Sequence, residues 1–420
     1  MAQSPHLEVR SRFLKKRNNY TCYGLGEWRQ YKNGVWETEP ELSVKREIQF
    51  LAANTPGVMV TNGLVTSVTE LARQCLQVSD LLFDLNPNII TFSDCVLDLT
   101  TWTTVPHSPS HYATSKLPFE YAPDARLPEW DHFLTSLPYM EFMQRFAGYC
   151  LTSETKYEIA LWLWGPPGGG KSTYIEALCA MLGAKACVLG LSEIEKSQFA
   201  LSQLPGRNLA ISTEMPSRIV RSANIINAII SGELIPVERK YVNPYTIRPH
   251  AKIIWGMNAL PAIGNEGVGI FRRVLPIHFP SIPESQRNPK LKEAILRSPM
   301  AVANWALEGL RELQKAQSLN VPVELISARD QYKEHNDVTL CFVNETCERD
   351  PNSRAKTSFL HAKYREWATK NGYRAMSMRN FVHDLDRLGF INVKPHNVSY
   401  YTGLRFIDDA DLDADIVVEG

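Results

Sequence analysis

Gly165-Pro-Pro-Gly-Gly-Gly170-Lys171-Ser172 completes the pattern G-x-x-x-x-G-K-[ST], and it follows the apolar run Ile159-Ala-Leu-Trp-Leu-Trp164 directly. A short apolar run that ends in glycine reads as a buried strand. The strand delivers the chain to a glycine-rich turn, and the turn opens a helix whose free N–H groups and positive dipole end attract phosphate. Tyr174, Ile175, Leu178, Met181 and Leu182 recur at helical spacing after Lys171, and Gly183 stands where a C-cap belongs. The segment Gly165, Pro166, Pro167, Gly168, Gly169, Gly170, Lys171, Ser172 and Thr173 is therefore expected to bind ATP, with Lys171 on the β and γ phosphates and Ser172 on Mg²⁺. A glycine-rich loop without a ligand is the competing reading, and the strand before it and the helix after it count against that.

A chain of 420 residues is expected to form two or three domains. Lys and Arg number 45, as do Asp and Glu, so net charge does not point to a nucleic-acid partner and only local charge can. The sequence contains neither an 18-residue apolar run nor a basic-plus-apolar start, so no membrane association is expected. The expected location is cytoplasmic, or nuclear if the host has a nucleus. The eight cysteines are scattered without a C-x-x-C pair and read as reduced thiols. Cys341, Cys347 and His335 make a loose partial metal set on a helical pattern, a weak match to metal-site spacing.

Residues 1–140 mix short strand-like and helical stretches with turn signals at Lys32-Asn33-Gly34, Thr55-Pro56-Gly57 and Tyr121–Ala125, and they hold no catalytic constellation. Asp80, Asp84, Asp94 and Asp98 fit loop and cap positions better than a metal site. From 141 the chain alternates apolar runs with helical patterns, the mark of a parallel sheet flanked by helices. The runs are 159–164, 186–190, 208–212, 252–256 and 274–279, and they make five expected strands. Helical patterns then run to about Lys315. A helical linker at 316–354, a small unit at 355–406 and an acidic tail at 407–420 complete the expected organisation.

Three features downstream of the loop supply the chemistry that hydrolysis needs. The run Arg207–Glu214 is an apolar strand ending in a carboxylate, which can hold the Mg²⁺ shell or polarise the attacking water. Ile253–Asn258 is another buried strand whose terminal Asn can orient water or the γ-phosphate. Arg272 and Arg273 precede the last strand, and arginine suits stabilisation of transferred-phosphoryl charge across a subunit boundary. Between them, Ile235–Lys240 and Tyr245–Arg248 flank Tyr241-Val-Asn-Pro244 and read as a hairpin with a basic, aromatic tip. Lys240 can neutralise a phosphate and Tyr241 can stack on a base or pack against a sugar, which suits a sequence-independent grip, although an ordinary surface hairpin is the competing reading.

The string from Ile230 to Pro261, followed by Phe271-Arg-Arg-Val-Leu-Pro-Ile-His-Phe279, resembles the superfamily 3 helicases, especially the phage, plasmid and poxvirus primase–helicases. Trp28–Trp36, Asp84–Asn88, Val96–Leu99 and Pro106–His111 look like the domain that precedes the motor in that family, so the resemblance covers about residues 20–400. It implies an α/β fold: a P-loop, AAA+-like parallel-sheet motor at 141–315, an α+β N-terminal domain at 1–140 and a winged-helix domain at 355–406. It also implies that Lys171 and Ser172 are the Walker A residues, Glu214 Walker B, Asn258 sensor 1, and Arg272 or Arg273 an arginine finger acting on a neighbouring subunit. The expected assembly is a homohexameric ring on single-stranded and forked DNA, moving 3′ to 5′, with a primase or polymerase as a possible partner. Thr213 departs from the pattern, because many members carry a second acidic residue before the Walker B glutamate.

Between Arg354 and Arg405 ten Lys and Arg face three acids, a local balance of +7. Helix, helix and hairpin in that order fit a winged helix, and the charge fits DNA, although such domains also bind proteins. The expected function is an ATP-dependent, ring-forming DNA helicase of a phage, plasmid or other mobile element. Two alternatives stay open: an ATP-switched replication initiator that barely unwinds, and a phosphate-loop ATPase of another class. Only about 20 residues precede the resemblance, too few for a polymerase fold, so primer synthesis by this chain is not expected.

Overall fold

The five apolar runs pair in one sheet. Ala160–Trp164 (β1), Ala186–Val188 (β2), Leu209–Ser212 (β3), Lys252–Met257 (β4) and Val274–His278 (β5) lie in the order β5-β1-β4-β3-β2, every pairing parallel. Leu161, Trp162 and Leu163 of β1 are fully buried. That two-sided burial, shared by β3, β4 and β5 but not by the edge strand β2, is why these strands read as continuous apolar runs and do not alternate. Parallel pairing forces every connection to cross over the sheet, so all five carboxyl ends emerge along one edge. The fold class is α/β, as the alternation of runs implies.

The computed structural model describes residues 4–197, 199–213, 223–240, 242–263, 269–371, 373 and 375–407. The chain divides into two compact units, residues 1–326 and 327–420.

In the first unit the helix Lys171–Leu182 buries Tyr174, Ile175, Ala177, Leu178, Met181 and Leu182, and the Tyr174 hydroxyl donates to the Met143 carbonyl at 3.0 Å. Full burial of one such aliphatic side chain stabilises by roughly 1.5–3 kcal/mol. Helices Met140–Cys150 and Pro299–Ala316 pack beside it in the same core. They cross closely because each presents a glycine: a Cβ on Gly148 would stand 2.5 Å from the Ala306 carbonyl oxygen, and one on Gly309 2.2 Å from that of Gln144.

The N-terminal part of this unit packs helices Pro5–Arg17, Glu41–Ala53 and Asn62–Leu76 round Trp28. The strands Thr21–Gly24, Glu27–Lys32 and Val35–Glu39 form an antiparallel sheet whose second turn places Asn33 and Gly34 at positive φ, as a two-residue hairpin loop requires. Asp80, Asp84, Asp94 and Asp98 each accept a backbone N–H, from Leu25, Thr114, Tyr121 and Thr100 in turn. They are turn and tie residues. Among the described residues no group of three potential ligands is placed to hold a metal ion, and all eight cysteines are free thiols. No described helix is long and apolar enough to cross a membrane.

The second unit contains helices Val338–Thr346, Thr357–Lys370 and Met378–Arg387 with strands Cys347–Lys356, Ile391–Val393 and Tyr400–Phe406. Tyr400–Phe406 is the middle strand, antiparallel to both others. Phe342, Cys347 and Ala355 lie in the core of this unit with Leu360, Tyr364, Phe381 and Tyr401. The stretch 338–354, expected to be linker, is thus integral to the unit. Its strand is hidden in the sequence by the polar run Glu348–Arg354, where the pairing register slips between Asp350 and Arg354.

Candidate active site

The loop after β1 is shaped by what surrounds it. Gly165, Gly168 and Gly170 all have positive φ. A Cβ on Gly165 would stand 2.3 Å from the Phe279 carbonyl oxygen and one on Gly169 2.6 Å from that of Pro280. The segment after β5 therefore lies directly against the loop, and only glycine fits there. Two backbone bonds fasten it, Phe279 N–H to the Trp164 carbonyl at 2.8 Å and Ile282 N–H to that of Gly168 at 3.3 Å. The Arg287 guanidinium, fixed by a 2.9 Å bond to the Ile282 carbonyl, lies over Gly168.

Gly170 then caps the helix Lys171–Leu182, so the first-turn N–H groups open onto the loop. Lys171 is nearly buried at its start, and its ammonium donates to the carbonyls of Gly165 at 2.6 Å and Pro166 at 2.7 Å. Burial pulls this ammonium below the ordinary lysine value, a tendency that a phosphate anion alongside would reverse.

A cavity of about 650 Å³ opens here, lined by Pro167–Thr173 together with Ser192, Thr213, Met257 and Asn258. Its size is that of a small-molecule site. Its walls are the carboxyl ends of β1, β3 and β4, the edge at which open parallel sheets receive ligands. Asn258 is thus brought to the loop, while Glu214 lies outside the described residues, one position after the cavity-lining Thr213. Ser192 belongs to no motif. It follows the run 186–190 much as Thr213 follows 208–212, but a serine near a strand end carries no signal of its own.

The two arginines separate. Val274 pairs with Ala160 and His278 with Trp164, so Arg272 and Arg273 sit at the amino end of β5. Four strand steps, about 13 Å, lie between them and the loop edge. Arg273 is only 5% exposed, and its guanidinium bonds Glu158 at 3.0 Å, the Ser231 hydroxyl at 2.9 Å and the Gly269 carbonyl at 3.4 Å. Arg272 beside it is exposed. Neither reaches the cavity of its own chain.

The expected hairpin is formed by Ile235–Arg239 and Val242–Ile247, antiparallel, with Arg239 opposite Val242. Its connection is therefore the two residues Lys240 and Tyr241, tighter than the expected four, and Pro244 falls inside the second strand. A two-stranded ribbon has a free edge on each side, so proline's missing N–H is tolerated. Lys240 is exposed, with its ammonium 5.9 Å from the centre of the Phe199 ring. Tyr241 lies outside the described residues.

Residues 10–137 match the family model D5 N terminal like, residues 163–273 a family of unknown function (DUF5906), and residues 334–411 the model Poxvirus D5 protein-like. A stretch of 105 residues is 30% identical to the mitochondrial chaperone BCS1 of Danio rerio, covering 24% of this chain and 23% of that protein. An apo structure of the NrS-1 C terminal region superposes with a TM-score of 0.52 at 11% identity, spanning 96% of this chain and all of that one. A second apo structure of the same region gives 0.51 at 10%. These two likenesses are of fold. D5-type models thus match the chain near both ends, which supports its resemblance to the phage and poxvirus primase–helicases.

Proposed function

We propose that this protein is an ATP-driven DNA helicase of superfamily 3 that works as a ring, with six subunits as the expected number. The observation that carries the proposal is the cavity at the carboxyl ends of β1, β3 and β4, where Lys171, Ser172, Thr213 and Asn258 converge. The residues present fit Mg-ATP. The glycines leave room for phosphates, the helix N-terminus and the Lys171 ammonium supply positive charge, and the Ser172 hydroxyl supplies an oxygen ligand for Mg²⁺. When bound, the metal would neutralise charge on the β and γ phosphates. Asn258 would orient the attacking water, and Glu214 would polarise it. Arg272 would reach the γ-phosphate of a neighbouring subunit, a role its exposure supports and the buried ties of Arg273 oppose.

Hydrolysis would move the hairpin carrying Lys240 and Tyr241 along single-stranded DNA. The second unit has the element order of a winged helix, and we propose that it binds duplex or forked DNA. The D5-type matches support a replication role, and the fold likeness supports the architecture. Lys240→Ala tests the coupling: the proposal requires strand separation to fail while basal ATP hydrolysis persists. Full unwinding by that variant would remove Lys240 from the coupling, whereas a wild type that barely unwinds and is indifferent to the substitution would favour the initiator.

A further inference from the structure

The hairpin carries a second cation beside Lys240. Arg239 closes its first strand, at a register slip between Val237 and Arg239. Such a bulge re-aims the side chain. The Arg239 guanidinium meets Glu27, on the N-terminal strand Glu27–Lys32, at 2.9 Å, and the Tyr245 side chain also bonds it. Glu27 has other partners: the Thr38 hydroxyl donates to it at 3.2 Å, and Arg29 stands 3.7 Å away. The two sides of the pair differ in access, Arg239 being 37% exposed and Glu27 17%. Arg239 can therefore turn to solvent without leaving the Glu27 carboxylate buried and unpaired, because Arg29 and Thr38 stay with it. To a guanidinium, a carboxylate and a phosphodiester offer the same paired-oxygen face.

We propose that Arg239 is a second DNA-phosphate residue of the hairpin, held by Glu27 until a phosphate displaces the carboxylate. This rests on the hairpin being the DNA-gripping element. The N-terminal region then acts directly on DNA affinity, although it holds no catalytic group. Release of Arg239 costs what a partly exposed ion pair contributes, on the order of fivefold in affinity.

The test is the affinity of the full chain for a fluorescent oligothymidylate, measured over a salt series for wild type, Glu27→Gln, Arg239→Gln, the double variant and Lys240→Ala. Glu27→Gln should bind about fivefold more tightly. That gain should vanish in the Arg239→Gln background, and Arg239→Gln should make the salt dependence shallower by about 0.7 in log–log slope, one phosphate contact. Thermal melting checks that each variant folds. Should Glu27→Gln not fold, the slope of Arg239→Gln decides alone. Equal tightening with and without Arg239, no tightening, or an unchanged Arg239→Gln slope would each overturn the proposal. Indifference of affinity and slope to Lys240→Ala would instead remove the hairpin as the DNA element.

Discussion

Truncating Arg273 and Arg272 in separate proteins should give opposite phenotypes, although the two residues are adjacent. Arg273 is 5% exposed and ties Glu158 beside β1 to Ser231 and Gly269. Arg273→Ala deletes three charge-assisted bonds and leaves the Ser231 hydroxyl to find a new partner. A hydrogen bond to a charged group contributes about 1.5–3 kcal/mol, whereas removing one partner of a fully buried ion pair costs about 3–5 kcal/mol. The lower figure applies, since Glu158 is 44% exposed and recovers its hydration. The expected loss is therefore about 2–3 kcal/mol. Arg272 is exposed, so Arg272→Ala should change stability by less than about 0.5 kcal/mol. Its effect should fall on turnover, which should drop by about 10³ in the assembled protein, the lower end of what an arginine finger supplies. Equilibrium urea unfolding followed by tryptophan fluorescence measures the first quantity, and steady-state ATP hydrolysis above the assembly concentration the second. Comparable destabilisation by both substitutions, or full turnover by folded Arg272→Ala, would refute the assignment of one arginine to the fold and the other to a neighbour's site.

Other outcomes follow from the same geometry. Gly165→Ala forces a Cβ to 2.3 Å from the Phe279 carbonyl at a φ of +133°, so the loop must shift away from the segment after β5. Binding of a fluorescent ATP analogue should weaken at least tenfold, with a stability loss of about 1–3 kcal/mol on melting; wild-type binding would show that the packing does not set the loop. Lys252 at the start of β4 is buried, and burial lowers its ammonium to about 7. The unfolded chain then binds more protons than the folded one between pH 7 and the ordinary lysine value, so this group makes stability rise with pH there. From pH 7 to 8.5 wild type should gain roughly 1.5 kcal/mol relative to Lys252→Met. A pH-independent difference between the two would contradict the buried-cation assignment.

The sheet was legible because four of its five strands are buried on both faces, the edge strand Ala186–Val188 being the exception. Ile159–Trp164 and Ile253–Met257 read as unbroken apolar runs, and parallel strands covered by helices leave no alternation to misread. The loop was legible because Gly165, Gly168 and Gly170 answer to their own positive φ and Lys171 to phosphate charge, both local, whereas the close approach of Phe279 and Pro280 was not legible. Ser192 was not, since a serine near a strand end carries no signal until the strand is known to end at the cavity. The difference between Arg272 and Arg273 depends on Glu158 and Ser231, more than a hundred and about forty positions upstream, and such burial has no local mark. Likewise, the strand Cys347–Lys356 hides in polar residues because only Cys347, Ser353 and Ala355 face the core closely enough to be buried. The tie between Glu27 and Arg239 joins segments over two hundred positions apart, beyond the reach of periodicity.

The central claim is that the Lys171 cavity drives strand separation. Its most direct measurement is unwinding of a tailed duplex by wild type and by Lys171→Ala, with ATP hydrolysis and oligomer mass recorded on the same samples. The account predicts that the wild-type ring separates strands only with ATP and Mg²⁺, is stimulated in hydrolysis by single-stranded DNA, and loses both activities in Lys171→Ala. Robust ATP hydrolysis by wild type that ignores single-stranded DNA and separates no strands would contradict it.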